Sequence, residues 1–139
     1  MNLKIQLVKT KEEYDDILEI RKQVFVREQN VPESIEIEYE SVSSHVICFL
    51  NGDPVGTGRW RRSDFGIKLE RFAVLKKYRG LGIGKEIVNF ILSQISSNKT
   101  IYLHAQEVVV DFYKKLGFSV SGKQFFEANI PHSKMIYKS

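Results

Sequence analysis

"RFAVLKKYRGLGIGKEIVNFIL", residues 71–92, decides how the rest of the chain is read. It opens on mostly apolar residues, crosses a basic, glycine-dense bend, and leaves on an apolar run. Gly80, Gly82 and Gly84 alternate with Leu81 and Ile83, so the backbone is stripped of side chains where the chain must turn and a helix must begin. Beyond the bend Ile83, Ile87, Phe90 and Ile91 recur at helical intervals. The glycines therefore stand at a helix N-terminus, where the first N–H groups lack partners and the macrodipole is positive. Lys76, Lys77, Arg79 and Lys85 add positive charge on both sides, and together these features point to a phosphate or pyrophosphate. The plainer reading is a glycine-rich strand-to-helix turn among solvated lysines.

Two better known phosphate loops fail on spacing. A P-loop needs four residues between its first glycine and Gly-Lys, then Ser or Thr for the magnesium; here Gly80 and Gly84 enclose Leu81, Gly82 and Ile83, and Lys85 is followed by Glu86. The dinucleotide fingerprint G-x-G-x-x-G needs a third glycine where Lys85 sits. What remains is Arg79-x-x-Gly82-x-Gly84 between a strand and a helix.

That loop resembles the acetyl-coenzyme A loop of the GNAT superfamily of N-acetyltransferases, Arg/Gln-x-x-Gly-x-Gly/Ala, whose backbone amides hold the cofactor's pyrophosphate. "LERFAVLKKYRGLGIGKEIV" looks like the family's cofactor strand, loop and helix in order, and "VVVDFYKKLGF" like its downstream helix and strand. "VFVREQNVP" and "EANIPHSKMIYK" are also similar to a bacterial subgroup of small GNAT proteins. The resemblance covers nearly the whole chain. It implies one α+β domain over residues 1–139, with a central mixed, mostly antiparallel sheet flanked by helices, and acetyl-coenzyme A as cofactor. It further implies cofactor contacts from the backbone of Phe72, Ala73 and Val74 and from Arg79, Gly80, Leu81, Gly82, Ile83, Gly84 and Lys85.

The bulk properties agree with an enzyme of that kind. A chain of 139 residues, 42% hydrophobic and 27% charged, can bury one core without staples. No apolar run approaches the roughly 20 residues a membrane span needs. "MNLKIQLVKTKEEYDD" is charged and strand-like and lacks the apolar core of a secretion signal, so the expected location is the cytoplasm. Cys48, the single cysteine, lies in the apolar "HVICFL" and is expected to be buried and inert. No metal-ligand pattern stands out. The net charge of +4 suits a polyphosphate cofactor, and it also permits nucleic acid. "GRWRRS", at 58–63, is the densest basic cluster with an aromatic in it, but its alternation fits a strand with one solvated face.

Leu3, Ile5 and Leu7 alternate as a first strand, and Thr10 with Glu13 forms a capping box for a helix whose stripe includes Ile17, Ile20 and Val24 and which stops before Pro32. "NVPESIEIEYES" is acidic and undecided between strand and helix; its glutamates form either a solvated face or a wall that attracts a cationic amine. "HVICFL", "PVGTGRWRR" and "GIKLERFAVL" read as an antiparallel meander with turns at 51–54 and 63–66. After the glycine loop and its helix, "TIYLHA" is a strand, "EVVVDFYKKLG" a helix closed by Gly117, and "FSVSGK" and "SKMIYKS" two final strands. The parallel crossover falls at the glycine loop.

Acetyl transfer to an amine needs a held cofactor, a polarised carbonyl, a neutral amine and a proton for the thiolate. The family polarises the carbonyl with a backbone N–H from the strand before the loop, here Phe72 to Val74. Its usual proton donor is a tyrosine at the position of Tyr113, and a phenol of pKa about 10 is protonated at neutral pH. The bland alternative places Tyr113 in an apolar helix face with Val109, Phe112 and Leu116. By family position the base is Glu70, acting directly or through water, and period two puts it on the face of Phe72 and Val74. His104, in the next strand, has the better matched intrinsic pKa of about 6.5. Glu28, His104 and His132 are candidate substrate contacts, His132 lying between the last two strands. The resemblance thus implies an acetyl-coenzyme A dependent N-acetyltransferase acting on a small-molecule or peptide amine, as a monomer or homodimer. A non-catalytic coenzyme A binding or regulatory domain and a basic nucleic-acid binding domain are the competing readings.

Overall fold

The computed structural model describes residues 2–96 and 98–138. Leu3, Ile5 and Leu7 lie in β1 (Leu3–Leu7), antiparallel to β2 (Ser44–Leu50) with Ile5 opposite Cys48. Thr10 Oγ1 accepts from the Glu13 N–H at 3.1 Å and starts α1 (Lys11–Arg21). The capping box is one residue offset, because the Glu13 carboxylate accepts from the N–H of Lys9 and not from that of Thr10. α1 continues as a π-helical turn, Lys22–Glu28, which ends before Pro32 as expected. The acidic stretch left undecided resolves into a short helix, α2 (Glu33–Glu36), and a 3₁₀ turn, Glu40–Val42, with no strand.

The meander follows, β2 against β3 (Asp53–Arg62) against β4 (Ile67–Val74), with the β2–β3 turn made by Asn51 and Gly52, both at positive φ. The glycine loop then leads into α3 (Ile83–Gln94), and β5 (Ile101–Gln106) returns parallel to β4. A 3₁₀ turn and α4 (Val110–Lys114) precede Gly117, whose φ of 100° closes the helix. Three strands follow where two were expected: β6 (Phe118–Val120), β7 (Phe125–Glu127) and β8 (Ile130–Tyr137). β7 escaped the pattern because it is three residues long and its turn is Ala128–Asn129, both at positive φ, without a glycine. β8 begins before Ser133, so His132 lies within a strand and not between strands as expected. Ser139, which the last expected strand included, lies outside the described residues.

The sheet of eight strands runs β1-β2-β3-β4-β5-β8-β6, with β7 also on β8, and β4–β5 is its parallel pair. Ile83, Ile87, Val88 and Ile91 of α3 pack on Val46, Cys48, Leu69, Leu103 and Met135. On the other face Ile20 and Val24 cover Ala73. The core closes tightly because β3 presents Gly56 and Gly58 to α3; a Cβ there would stand 2.8 Å from Ile87 and 2.9 Å from Phe72. Among the described residues no helix is long and apolar enough to cross a membrane.

Two irregularities make room for a site. β4 and β5 pair only over Ile67–Leu69 and Ile101–Leu103, and beyond those residues the strands part. β4 also carries a bulge: Arg71 has φ 58°, and the register against β3 jumps from Arg59↔Glu70 to Thr57↔Ala73.

Candidate active site

A cleft of about 1090 Å³ opens where β4 and β5 part and runs from the glycine loop to the segment around Glu36–Tyr39 and the β7–β8 hairpin. At the loop end, none of the N–H groups of residues 80–85 meets an acceptor among the described residues. Gly80 and Gly82 hold left-handed φ values of 83° and 82°, Gly82 caps α3, and its carbonyl accepts from Glu86. Gly80, Gly82, Ile83, Gly84 and Lys85 line the cleft, as do Phe72, Ala73 and Val74 on β4; Leu81 is exposed and points elsewhere. Unpaired amides at the positive end of a twelve-residue helix, with Lys85 beside them, form a cradle that fits an anion such as a pyrophosphate.

Arg79 also lines the cleft, but its side chain is already engaged. Its guanidinium grips Glu28 through two hydrogen bonds of 2.8 and 3.0 Å, and its Nε donates to the Val74 carbonyl at 2.9 Å. Glu28, a candidate substrate contact in the sequence, spends both oxygens on this fork and is not among the lining residues of the cleft. The pair ties the end of the π-helical turn to the start of the glycine loop.

Tyr113 of α4 lines the same cleft. Its ring packs against Phe72, Phe112 and Phe118, with centroids 6.1, 5.0 and 5.8 Å away, and its hydroxyl has no hydrogen bond among the described residues. Burial pushes the phenol above its ordinary pKa, so it stays protonated across the neutral range. Both sequence readings of this residue describe part of it: the ring belongs to the core, and the residue faces the cleft.

Glu70 is buried and lines the cleft with Phe72 and Val74, but it does not share their face of β4. The bulge at Arg71 breaks the period of two, so Phe72 and Val74 pack toward α3 while Glu70 joins Arg59 on the α1 side. Its Oε2 accepts from Arg59 Nε at 2.8 Å and Arg61 Nε at 2.9 Å, and Lys68 Nζ stands 3.4 Å from Oε1. Burial alone would raise its pKa, but the charges of Arg59, Lys68 and Arg71 and the Arg61 hydrogen bond outweigh it and hold the carboxyl at about 2. Such a carboxylate is a weak proton acceptor at neutral pH.

The basic cluster on β3 is not a solvated face either. Arg59 is 1% exposed and bonds Glu40, the Glu38 carbonyl and Glu70. Arg21, equally buried, bonds Glu36 and Glu40, and Arg71 donates to the Glu36 carbonyl at 2.9 Å. Glu36 and Glu40 are therefore consumed by arginines and form no wall for a cation. The network pins the segment 36–40 over the sheet beside the cleft.

At the far end of the cleft His104 Nδ1 lies 2.6 Å from Glu127 Oε1. The sequence reading missed Glu127, which reaches His104 only because β7 exists. His132 also lines the cleft; its Nδ1 stands 2.7 Å from the Ile130 carbonyl, and its ring stacks on Phe125. No group of three His, Cys, Asp or Glu side chains placed to hold a metal occurs among the described residues.

Comparison with known proteins adds the following. The model of a family described as an acetyltransferase (GNAT) domain matches residues 8–139. The Bacillus subtilis protein named uncharacterized N-acetyltransferase YjcF is 41% identical over 138 residues, covering 96% of this chain and 99% of the relative. Among solved structures, Escherichia coli ElaA superposes with a TM-score of 0.86 at 23% identity, over 99% of this chain and 100% of that one. An aminoglycoside 6'-N-acetyltransferase complexed with coenzyme A superposes at 0.77 and 18% identity, over 96% and 95% of the two chains.

Proposed function

The chain belongs to the GNAT acetyltransferase family, and from that premise we propose that it transfers an acetyl group from acetyl-coenzyme A to a primary amine of a small molecule or peptide by direct attack. The observation that carries the proposal is the row of unpaired N–H groups over residues 80–85, which opens onto the cleft that Tyr113 lines. Acetyl-coenzyme A, when bound, supplies an activated acyl carbon and a thiol leaving group. The amides of residues 80–85 and Lys85 hold its pyrophosphate, and a backbone N–H of Phe72–Val74, on the stretch of β4 that β5 leaves unpaired, polarises the thioester carbonyl. Tyr113 gives its proton to the departing sulfur. Arg79 acts through Glu28 to brace the loop, and Glu70 serves as a fixed negative charge among arginines.

The test is thiol release from acetyl-coenzyme A with a panel of primary amines and short peptides, beside calorimetric binding of coenzyme A. Binding with amine-dependent thiol release is the expected result. Binding without release from any amine leaves the non-catalytic coenzyme A domain as the better reading, and no binding at all removes both.

A further inference from the structure

Resting on the transferase reading, we propose that His104 takes the proton of the incoming ammonium and that Glu127 is the positioning residue that holds its ring for the task. His104 stands one residue past Leu103, the last position at which β5 pairs with β4, so its side chain lies where the strands part and lines the cleft. Glu127 Oε1 is 2.6 Å from Nδ1. An ionised carboxylate only accepts, so Nδ1 carries the hydrogen and Nε2 keeps its lone pair. Nε2 has no partner among the described residues. The β7–β8 hairpin supplies both constraints on the ring, Glu127 at its end and Phe125 edge-on at 4.9 Å.

The rival groups are already engaged. Glu70 is surrounded by Arg59, Arg61 and Lys68. His132 faces the Ile130 carbonyl, which cannot balance an imidazolium as a carboxylate does. The other charged groups around His104 are Lys68 and Glu70 on β4 and Lys134, its register partner on β8, whose Nζ lies 3.1 Å from the centre of the Phe65 ring.

In the step, an N–H bond of the ammonium breaks toward Nε2 of His104, and Glu127 balances the imidazolium. The freed electron pair forms the C–N bond, and the C–S pair leaves with sulfur, which takes the proton of Tyr113. A second proton leaves the nitrogen and restores Tyr113 through solvent, while His104 returns the first to water, so one proton is released per turnover.

The experiment uses the full chain, acetyl-coenzyme A and benzylamine as probe acceptor, with long-range ¹H–¹⁵N spectra of the histidines recorded without acceptor. His104 is expected as the Nδ1–H tautomer. His104→Ala is expected to lower kcat/KM by about 10²-fold, partly restored by added imidazole. Glu127→Gln is expected to lower it by about 10-fold and to move the acid limb of its pH profile to lower pH, because the imidazolium loses its anionic partner. A merely structural Glu127 would not move that limb. An unmoved limb, unreduced turnover in His104→Ala, or loss without imidazole rescue overturns the base role, and a bare Nδ1 overturns the pairing. Absence of thiol release by the parent protein with benzylamine and with every other amine and short peptide of the panel overturns the transferase reading and the base role with it, while the tautomer still decides the pairing.

Discussion

Tyr113 combines two demands that one substitution separates. Its ring fills space among Phe72, Phe112 and Phe118, while its hydroxyl has no hydrogen bond among the described residues. Tyr113→Phe keeps the ring, so melting temperature and coenzyme affinity should hold, whereas turnover should fall by roughly 10²-fold or more if the phenol protonates the sulfur. Equal turnover by parent and variant, with chemistry shown to be rate-limiting, would remove Tyr113 from the mechanism. At this scale the sequence was informative about identity and weaker about surroundings. Tyr113 could be named from its motif, but Glu70 was placed on the wrong face, because a single bulged residue inverts every later side chain in a strand.

The element that decides function is the strand, loop and helix from Ile67 to Gln94. Gly82 tests it most directly. A Cβ at this residue meets nothing within 4 Å, so a large side chain collides with no protein atom, and the φ of 82° costs an L-residue roughly 1–2 kcal/mol. Gly82→Trp should therefore stay folded by circular dichroism while losing coenzyme A affinity in calorimetry, since the indole covers the amide cradle. Undiminished affinity in the folded variant would move the phosphate site elsewhere. This element was legible because glycine spacing and helical periodicity are local signals. The β7–β8 hairpin was not: a three-residue strand has no period to read, and its pairing with β8 is a tertiary event.

Across the whole molecule, the ion network of Arg21, Glu36, Glu40, Arg59, Arg61 and Glu70 joins α1, the 36–40 segment, β3 and β4. Glu70→Gln removes one charge and leaves buried guanidinium groups uncompensated, which should cost about 3–5 kcal/mol in denaturant titrations at neutral pH. The folded carboxyl, at about 2, sits below its ordinary value of 4.5. Its contribution is therefore full above pH 4.5 and is lost as pH falls toward 2. The parent's stability should fall through that window more steeply than the variant's, and parallel pH curves would contradict the assignment. By itself the sequence determined what is written in neighbouring residues: the capped first helix, the meander, the glycine loop and its helix, the parallel crossover and the family resemblance. Only the tertiary structure decided that Arg59 is buried, that Glu70 leaves the Phe72 face, that Arg79 bends back to Glu28, and that Glu127 meets His104. The second of these rests on one bulged residue and the others on where a charge finds a partner far along the chain, so no periodicity or propensity records them.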